Sequence, residues 1–370
     1  MSMQVRQIDK KRLGSFIKLP FRLYKDDPNW VPPLIGGMKN TLNPQKNSFL
    51  GGEHAFFMAY RDGKPVARIL AGHNLGESEA RGEKRGFFSL FEAADMESGT
   101  AVLQAAQDYL KQIGMQTMKG PFSPTNGEED RALLVEGFES PPVLYASYNP
   151  EWYRGVMESF GFANAADLLG FKIVTSEVPF ERFAKVVGFA KKRYGFEAYP
   201  IDMKNLDDEL LDIQQILNGS DARDWGSGIP GWETILEAAQ SMKAIADPDL
   251  IYMVRKNDGT PIAFVVAIPN YNEALIHMRG RMFPFGILKF FYYKKRIKGV
   301  RVMMQFCIEE YERKAAVSAA YLGIMETALQ KGYEWGDAST IGEENYKSWR
   351  PVMAAGGKQY RRFRYFEKEI

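Results

Sequence analysis

Two short segments of the chain share the pattern Asp-Gly-x-Pro-[Val/Ile]-Ala. The first lies in RDGKPVAR at 61–68 and the second in NDGTPIAF at 257–264, so that Asp62 and Asp258 are 196 residues apart. Each segment has an Asp-Gly dipeptide between two runs of apolar, aromatic and β-branched residues, which is a strong sequence signal for a β-hairpin. A chain of 370 residues is also longer than one hydrophobic core usually grows. The repeat therefore predicts two related domains, one in each half.

The signals that follow each hairpin are repeated as well. The segments 100–114 and 316–332 both place apolar residues on one face of a helix and end in a glycine. An extended segment comes next, and then an asparagine, Asn149 or Asn345, is expected to cap a second helix. These two asparagines are again 196 residues apart. Equal offsets at two distant landmarks favour an internal duplication.

The repeat predicts an α+β (mixed α/β) fold of two domains, residues 1–175 and 176–370. Each domain is expected to contain a mixed, mostly antiparallel sheet flanked by helices, because strand and helix signals alternate along each half. We expect ADLLGFKIV at 166–174 to be the closing strand of the first half, and QYRRFRYFEK at 359–368 to be that of the second.

Composition is that of a globular protein and excludes several classes of function. The formal net charge is +2, so the overall charge favours neither a nucleic acid nor a strongly acidic partner. Cys307 is the only cysteine, which excludes an intramolecular disulfide and fits a reducing compartment. Only three histidines accompany it, and we expect no metal site. The charged N-terminal residues predict no signal peptide and no long apolar run predicts a membrane span, so a cytoplasmic protein of bacterial type is expected.

The order of hairpin, strand, helix, strand and asparagine-led helix resembles the GNAT superfamily of acyl-CoA-dependent N-acyltransferases. The signature of that family, [Q/R]-x-x-G-x-[G/A] at a helix start, is similar to RKAAVS at 313–318, with Ala316 and Ser318 at the small positions. In the family, backbone amides and the positive end of the helix dipole hold a diphosphate, which requires small side chains. Segments 23–34 and 341–368 look like a widespread bacterial group of tandem GNAT proteins.

The resemblance implies a site for acetyl-CoA or a longer acyl-CoA in the C-terminal half. The strand before the signature is expected beside the pantetheine arm, and Asn345 is expected to cap its helix, with a ligand contact as the alternative. The implied cofactor-binding residues are Gln305, Cys307, Ile308, Arg313, Lys314, Ala315, Ala316, Val317, Ser318 and Asn345. The corresponding place in the first half holds Asp95 and Glu97, which stabilise a helix start and repel a diphosphate. The N-terminal domain is therefore expected to be a degenerate copy without CoA.

Direct attack of an amine on a thioester needs a base for the ammonium proton and an acid for the leaving thiolate. The tyrosine that often serves as the acid in this family is absent, because Val352 and Met353 occupy its place, so Tyr346, Tyr360 or water would substitute. Carboxylates near the ends of two strands are the candidate bases. The predicted catalytic residues are Glu309, Glu310, Glu343 and Tyr346, with Asp337 and Glu344 as further candidates. Cys307 has no suitable histidine nearby in sequence and is expected to be an inert thiol.

Residues 279–301, which we call the basic-aromatic segment, are an insertion relative to the first half. The segment carries eight lysines and arginines, and no acidic residue occurs between Glu273 and Glu309. Aromatic and aliphatic residues are interleaved with these cations. The pattern is typical of contact with a membrane surface, here through 283–298, or of a lid over an apolar acyl chain. The plainer interpretation is a helix that covers the sheet and keeps its lysines in water.

The predicted function is an acyl-CoA-dependent N-acyltransferase acting on a primary amine, which is a small molecule or a lipid. The first alternative is a non-catalytic ligand-binding or scaffolding protein with the GNAT fold, which the missing tyrosine and the lost glycines favour. The second is an aminoacyl-tRNA-dependent transferase of the peptidoglycan-bridge type, against which the modest net charge speaks. We expect no nucleic-acid partner and a cytoplasmic location, with the inner face of the membrane as the alternative site.

Overall fold

The computed structural model of the chain describes residues 3–73, 84–125, 127, 129–221, 229–243 and 245–370. The strands are β1 (Met3–Ile8), β2 (His54–Arg61), β3 (Lys64–Gly72), β4 (Arg85–Ala93), β5 (Thr117–Gly120), β6 (Leu133–Glu136), β7 (Ala163–Val174), β8 (Phe196–Pro200), β9 (Ile251–Lys256), β10 (Pro261–Pro269), β11 (Gly299–Cys307), β12 (Trp335–Gly342) and β13 (Lys358–Glu369). The helices are α1 (Leu13–Leu23), α2 (Ile35–Thr41), α3 (Met96–Gln112), α4 (Tyr153–Ser159), α5 (Phe180–Tyr194), α6 (Leu206–Asn218), α7 (Trp232–Met242), α8 (Asn272–Leu275), α9 (Gly286–Lys294), α10 (Ala316–Gln330) and α11 (Tyr346–Ala354).

Contacts within the chain define two compact units. Unit 1 contains residues 1–168, 272–296 and 361–370, and unit 2 contains residues 169–271 and 297–360. Most of the basic-aromatic segment and the last ten residues therefore belong to the same unit as the N-terminal half. The division of the chain at 175/176 stays a prediction.

Each unit has a mixed sheet, as the sequence predicts. In unit 1 the strand order is β1-β2-β3-β4-β5-β13, with β6 also pairing with β13, and among these pairs of described residues only β4–β5 is parallel. In unit 2 the order is β8-β9-β10-β11-β12-β7, and β11 and β12 are parallel. A parallel pair needs a crossover, and α3 and α10 supply it in the two units. The mixed α/β fold class is confirmed.

Both sheets are covered by helices on both faces, which explains their continuous apolar runs. Alternate residues of β2 enter different clusters: Ala55, Phe57 and Ala59 pack with α3, whereas Phe56 and Met58 pack with α1 and α2. Strand β10 behaves in the same way. Its residues 263, 265 and 267 pack with α10, and 264 and 266 pack with α6 and α7. The side-chain period of two in a strand sends neighbours to opposite faces, so every position of such a strand is apolar.

The two hairpins are confirmed, but their turns differ. Asp62 and Gly63 both have positive φ, and Arg61 pairs directly with Lys64, so the first turn is a two-residue connection of type I′. In the second hairpin only Gly259 has positive φ, and the loop spans 257–260 between the paired strands. The same dipeptide therefore serves two loop lengths.

The glycine ends of the two long helices are also confirmed. Gly114 and Gly332 have φ values of 83° and 78°, a region that glycine enters without steric cost. The next residue in each case donates its N–H to a carbonyl five positions earlier, Met115 to Leu110 and Tyr333 to Ala328, at 2.9 Å. This bond is typical of a Schellman end.

The prediction that Asn149 caps a helix is wrong, whereas Asn345 does cap α11. The Asn345 side chain accepts a hydrogen bond from the Ser348 N–H at 3.2 Å. Asn149 is buried four residues before α4, where its side chain accepts from the N–H of Leu134 and donates to the Leu134 carbonyl. An asparagine fits both tasks because its amide offers a donor and an acceptor, so residue type alone does not distinguish them.

Candidate functional site

Helix α10 begins without a side-chain cap. Ala315, directly before it, has the left-handed conformation (φ 60°, ψ 24°), and its methyl side chain provides no capping hydrogen bond. The first amides of a helix have no partner within the helix, which here concerns Ala316, Val317 and Ser318. Ala316 and Ser318 are buried, and their small side chains add little bulk at the helix start.

A groove of about 310 Å³ lies at this helix start. It is lined by Glu312, Arg313, Ala315, Val317, Ser318, Tyr346, Lys347, Arg350, Pro351 and Ala354. Arg313 and Arg350 are exposed, and neither forms an ion pair with the described part of the chain. The Arg350 guanidinium carbon lies 4.8 Å from the ring centre of Tyr346. Two cations next to the positive end of a helix dipole make this groove suitable for an anion.

The one acidic side chain in the lining, Glu312, shares a lysine with Asp221. The Lys347 ammonium lies 2.9 Å from a carboxylate oxygen of Glu312 and 3.0 Å from one of Asp221. The hydrogen bond to Glu312 is the main reason why the pKa of Lys347 is raised. One ammonium shared by two carboxylates offsets the charge of Glu312 only in part, so the positive charge at the helix start comes from Arg313 and Arg350.

Strands β11 and β12 separate beside the groove. They pair only between Gly299–Arg301 and Trp335–Asp337, whereas β11 stays paired with β10 as far as Cys307. Within the described part of the chain, residues 302–307 of β11 therefore pair with no residue of β12, and they are half-buried. A diverging parallel pair of this kind is what the family resemblance implies for the strand before the signature.

The corresponding helix start in unit 1 is closed by an aspartate. The Asp95 carboxylate accepts the N–H of Ser98 at 2.9 Å, and the Ser98 hydroxyl accepts the N–H of Asp95, forming a capping box. Arg61 contacts both Asp95 and Glu97. The hydrogen bond from Arg61 is the main cause that lowers the pKa of Asp95 to about 2. This helix start is therefore blocked and anionic at neutral pH.

Comparison with known structures identifies the fold. A tandem GNAT protein from the clavulanic acid biosynthesis pathway superposes on 100% of this chain and 98% of its own, with a TM-score of 0.57 at 10% identity. The chain has the tandem GNAT fold. A GCN5-related N-acetyltransferase from Sphaerobacter thermophilus gives a TM-score of 0.56 at 13% identity and covers 99% of this chain and 95% of its own. The fold prediction is thus confirmed on independent structures.

Two curated sequences are similar to this tandem GNAT chain over nearly its whole length. Protein YghO of Escherichia coli is 29% identical over 98% of the chain and 94% of its own length. A protein named bacterial ceramide synthase from Caulobacter vibrioides is also 29% identical, over 97% of the chain and 95% of its own length. No protein-family model matches the chain.

The tandem GNAT fold brings four of the ten predicted cofactor residues to the groove. Arg313, Ala315, Val317 and Ser318 line it, as does Tyr346 from the catalytic set. The remaining predicted cofactor residues lie outside the lining, namely Gln305, Cys307, Ile308, Lys314, Ala316 and Asn345. The predicted roles of these residues stay predictions.

Two of the residues outside the lining, Gln305 and Ile308, form hydrogen bonds within unit 2, and a third, Cys307, is a protonated thiol. Gln305 donates its side-chain N–H to the Ser348 carbonyl at 2.6 Å. The Ile308 N–H donates to the Ile262 carbonyl. Burial raises the pKa of Cys307 to about 12, so the thiol is protonated at neutral pH, in agreement with an inert cysteine.

The predicted bases lie at the surface next to the groove rather than in its lining. Glu309 and Glu310 form a short 3-10 turn with Tyr311 directly after β11, and Glu310 lies 3.1 Å from the ammonium of Lys314. Glu343 is exposed before α11, and its backbone carbonyl accepts the indole N–H of Trp349. Glu309, Glu310 and Glu343 thus stay predictions as catalytic bases.

Asp337 and Tyr360, two of the further candidates, are hydrogen-bonded to each other in unit 2, whereas Glu344 is exposed before α11. Asp337 is buried and accepts hydrogen bonds from Ser339 and Tyr360, both at 2.7 Å. The Tyr360 hydroxyl is thereby occupied as a donor, which leaves Tyr346 as the phenol at the groove. Sequence reasoning did not select Arg350, although it lies four residues after Tyr346 and hence on the same face of α11.

A second polar cluster lies in unit 1, and no sequence motif predicts it. The Glu92 carboxylate accepts hydrogen bonds from the hydroxyls of Tyr24 and Tyr153 at 2.7 and 2.9 Å, and the Arg68 guanidinium is 3.8 Å away. Only 13% of the Glu92 side chain is exposed. Burial raises the pKa of Glu92 to about 7, although Arg68 and the two phenols oppose the shift. These residues come from four distant segments, so only the fold brings them together.

We expect the stability of the chain to depend on Glu92 between about pH 4.5 and 7, the usual value for a glutamate and its value here. A carboxyl whose pKa is raised by folding contributes stability that is complete below the unfolded pKa and is lost as pH rises through the folded pKa. Glu92→Gln should therefore remove about 1.4 kcal/mol per pH unit from the slope of unfolding free energy against pH. Urea unfolding at a series of pH values measures this slope.

The matched control for this measurement is Glu209→Gln. Glu209 is a buried glutamate of unit 2 whose pKa burial also raises to about 7. Its substitution should lower the slope independently, so that the double variant shows the sum of both changes. An unchanged slope in Glu92→Gln would place the titration in other groups.

Proposed function

We propose that this tandem GNAT chain is an acyl-CoA-dependent N-acyltransferase, with CoA held by unit 2 and a primary amine as the acceptor. The observation that carries the proposal is the uncapped start of α10, where Arg313 and Arg350 line a groove without ion-pair partners in the described chain. The blocked start of α3 supports a cofactor site in unit 2 alone, because Asp95 caps that helix where a diphosphate would have to bind.

The residues of unit 2 fit CoA in kind and arrangement. The amides of Ala316, Val317 and Ser318 would donate to the diphosphate, and Arg313 and Arg350 would balance its charge. The edge of β11 that β12 leaves open, residues 302–307, would hydrogen-bond the amide groups of the pantetheine arm. Ala316 and Ser318 differ from the glycines of the family signature, but their small side chains still let a diphosphate approach the amides of the helix start.

The bound acyl-CoA supplies a thioester, and the chain has to orient the amine and move two protons. Tyr346 is the proposed acid, because its ring lies in the groove and is 40% exposed. Glu309, Glu310 and Glu343 are the proposed candidates for the base, since each lies next to the diverging strands.

An amphiphilic amine is the proposed class of acceptor. The relative from Caulobacter vibrioides that covers 97% of this chain is named a bacterial ceramide synthase. A ceramide is the N-acyl derivative of a long-chain amino alcohol, so its formation is an N-acylation of a lipid amine. The interleaved cations and aromatic residues of the basic-aromatic segment favour the same class of substrate.

The test is an acylation assay with the full chain, palmitoyl-CoA or acetyl-CoA, and sphinganine or a short-chain amino alcohol. We expect release of free CoA thiol and an N-acyl product by mass spectrometry, with sphinganine preferred over the short amine. The half-buried Cys307 adds little to a thiol assay because its pKa is about 12. Thermal stabilisation by CoA without any product would support the non-catalytic alternative. No stabilisation by any CoA form would contradict the proposed cofactor.

A further inference from the structure

Six large apolar side chains of the basic-aromatic segment point into solvent. The exposed fractions are 44% for Met282, 73% for Phe283, 68% for Phe285, 65% for Leu288, 58% for Phe291 and 55% for Tyr292. We call these six residues the apolar patch. Exposed apolar residues are usually scattered singly, whereas contiguous groups mark surfaces that bind something.

The patch is continuous because of helical spacing. Phe285 immediately precedes α9, and Leu288, Phe291 and Tyr292 follow it by three, six and seven positions, which places them on one face of the helix. The opposite face is anchored in unit 1. Tyr293 is half-buried, and its ring stacks on His277 with 3.5 Å between ring centres.

The segment before the helix is fixed to unit 1 by close backbone packing. The Ile35 N–H donates to the Gly280 carbonyl at 3.0 Å. A Cβ atom at Gly280, which has φ 70°, would lie 2.5 Å from the Phe21 ring and 2.7 Å from the Pro33 carbonyl oxygen. The packing of this segment against the rest of unit 1 therefore keeps the apolar patch exposed to solvent.

Cations surround the patch, and acidic residues are absent from it. Arg281, Lys289, Lys294, Lys295 and Arg296 are all exposed, and the sequence has no aspartate or glutamate between Glu273 and Glu309. The Arg296 guanidinium lies 3.6 Å from the ring centre of Tyr292, so charge and aromatic surface adjoin directly. A surface that combines aromatic side chains with several cations matches the interface of an anionic lipid bilayer.

We infer that the apolar patch and its five cations dock unit 1 on the surface of an anionic membrane. The aromatic and aliphatic side chains enter the boundary between headgroups and acyl chains, and the cations stay at the level of the lipid phosphates. A second copy of the chain fits less well, because an isologous contact would bring the same cations together. A lid over an acyl chain fits less well too, because a lid buries its apolar residues and these are more than half exposed in five of six cases. Among the described residues no helix is long and apolar enough to cross a membrane, and docking of this kind requires none.

The experiment is co-sedimentation of the full chain with vesicles of phosphatidylcholine alone or mixed with phosphatidylglycerol, at low and at high salt. We expect binding to the mixed vesicles, weaker binding to phosphatidylcholine, and a loss of this preference at high salt. The triple variant Phe285→Ser/Leu288→Ser/Phe291→Ser should lower the partition coefficient at least about tenfold. The double variant Lys289→Glu/Lys295→Glu should remove the preference for phosphatidylglycerol.

The matched control is Leu211→Ser/Leu329→Ser, which removes two leucines of unit 2 that are 51% and 48% exposed. It should bind vesicles like the unchanged chain. Equal binding by the triple variant and the unchanged chain would overturn the inference. A dimer in analytical ultracentrifugation that the triple variant abolishes would also overturn the inference if neither protein binds vesicles. The inference would likewise fail if the triple variant bound vesicles like the unchanged chain and lost only its thermal stabilisation by palmitoyl-CoA. The vesicle assay contains no CoA, so its failure and a failure of the proposed acyl transfer are distinguishable.

Discussion

Ala315→Asp is expected to weaken CoA binding about tenfold to hundredfold without lowering the melting temperature. The substitution gives α10 the same acidic residue that closes α3, where Asp95 precedes the helix. A carboxylate next to a diphosphate is repelled, while the same carboxylate at a helix N-terminus stabilises the helix by about 0.3–1 kcal/mol. Binding and stability therefore change in opposite directions, which distinguishes this result from simple unfolding. Isothermal titration with CoA and thermal unfolding measure the two quantities.

Ala315→Asn is the matched control, because asparagine has the shape of aspartate without its charge. Both residues enter the left-handed region more readily than alanine, so the φ of 60° at this position favours either of them. The asparagine variant should keep most of the affinity for CoA. Equal losses in the two variants would show that bulk rather than charge is critical, and unchanged affinity in the aspartate variant would place the diphosphate elsewhere.

Arg361→Leu is expected to lower the free energy of unfolding by about 3–5 kcal/mol. Arg361 is 1% exposed, and its guanidinium donates to the carbonyls of Gly137, Ser140 and Pro141 and to the Ser140 hydroxyl at 2.6–3.2 Å. Leucine fills much of the volume but leaves these buried acceptors without their donor, and each such acceptor costs about 1–3 kcal/mol. Denaturant unfolding measures the change.

Two comparisons make the Arg361 result specific. Arg361→Lys keeps the charge but offers no fork of donors, so it should recover only part of the lost stability. Arg154→Ala removes a half-exposed arginine of the same unit that pairs with Glu158 one turn away, and it should cost less than about 0.5 kcal/mol. Hydrogen exchange of residues 361–370 should rise in Arg361→Leu. Unchanged protection of this segment would show that the arginine does not hold it.

The local features of the repeat were predictable because local sequence specifies them. The Asp-Gly turns and the glycine helix ends depend on which residues adopt positive φ, and Gly63, Gly114, Gly259 and Gly332 all do so. The difference in capping between the starts of α3 and α10 was also predictable from the sequence. An aspartate before α3 and an alanine before α10 differ in capping chemistry whatever surrounds them.

The candidate site was predictable along the signature segment and at one residue of α11, Tyr346. Arg313, Ala315, Val317 and Ser318 belong to the signature and line the groove, whereas Arg350 arrives from another helix and was missed. The error at Asn149 has the same origin. Its hydrogen-bonding partner, Leu134, lies fifteen residues away, and residue type contains no information about that partner.

The duplication, the elements of each half and the difference in capping between the two helix starts follow from the sequence, because they depend on side-chain periodicity, turn residues and caps within short windows. The membership of residues 272–296 and 361–370 in the unit of the N-terminal half follows instead from long-range packing. Alternating apolar residues specify that a segment is a strand or an amphipathic helix, but any complementary sheet edge or apolar face satisfies them equally. The choice among these partners is a property of the whole packed chain, as are the pKa of Glu92 and the exposure of the apolar patch.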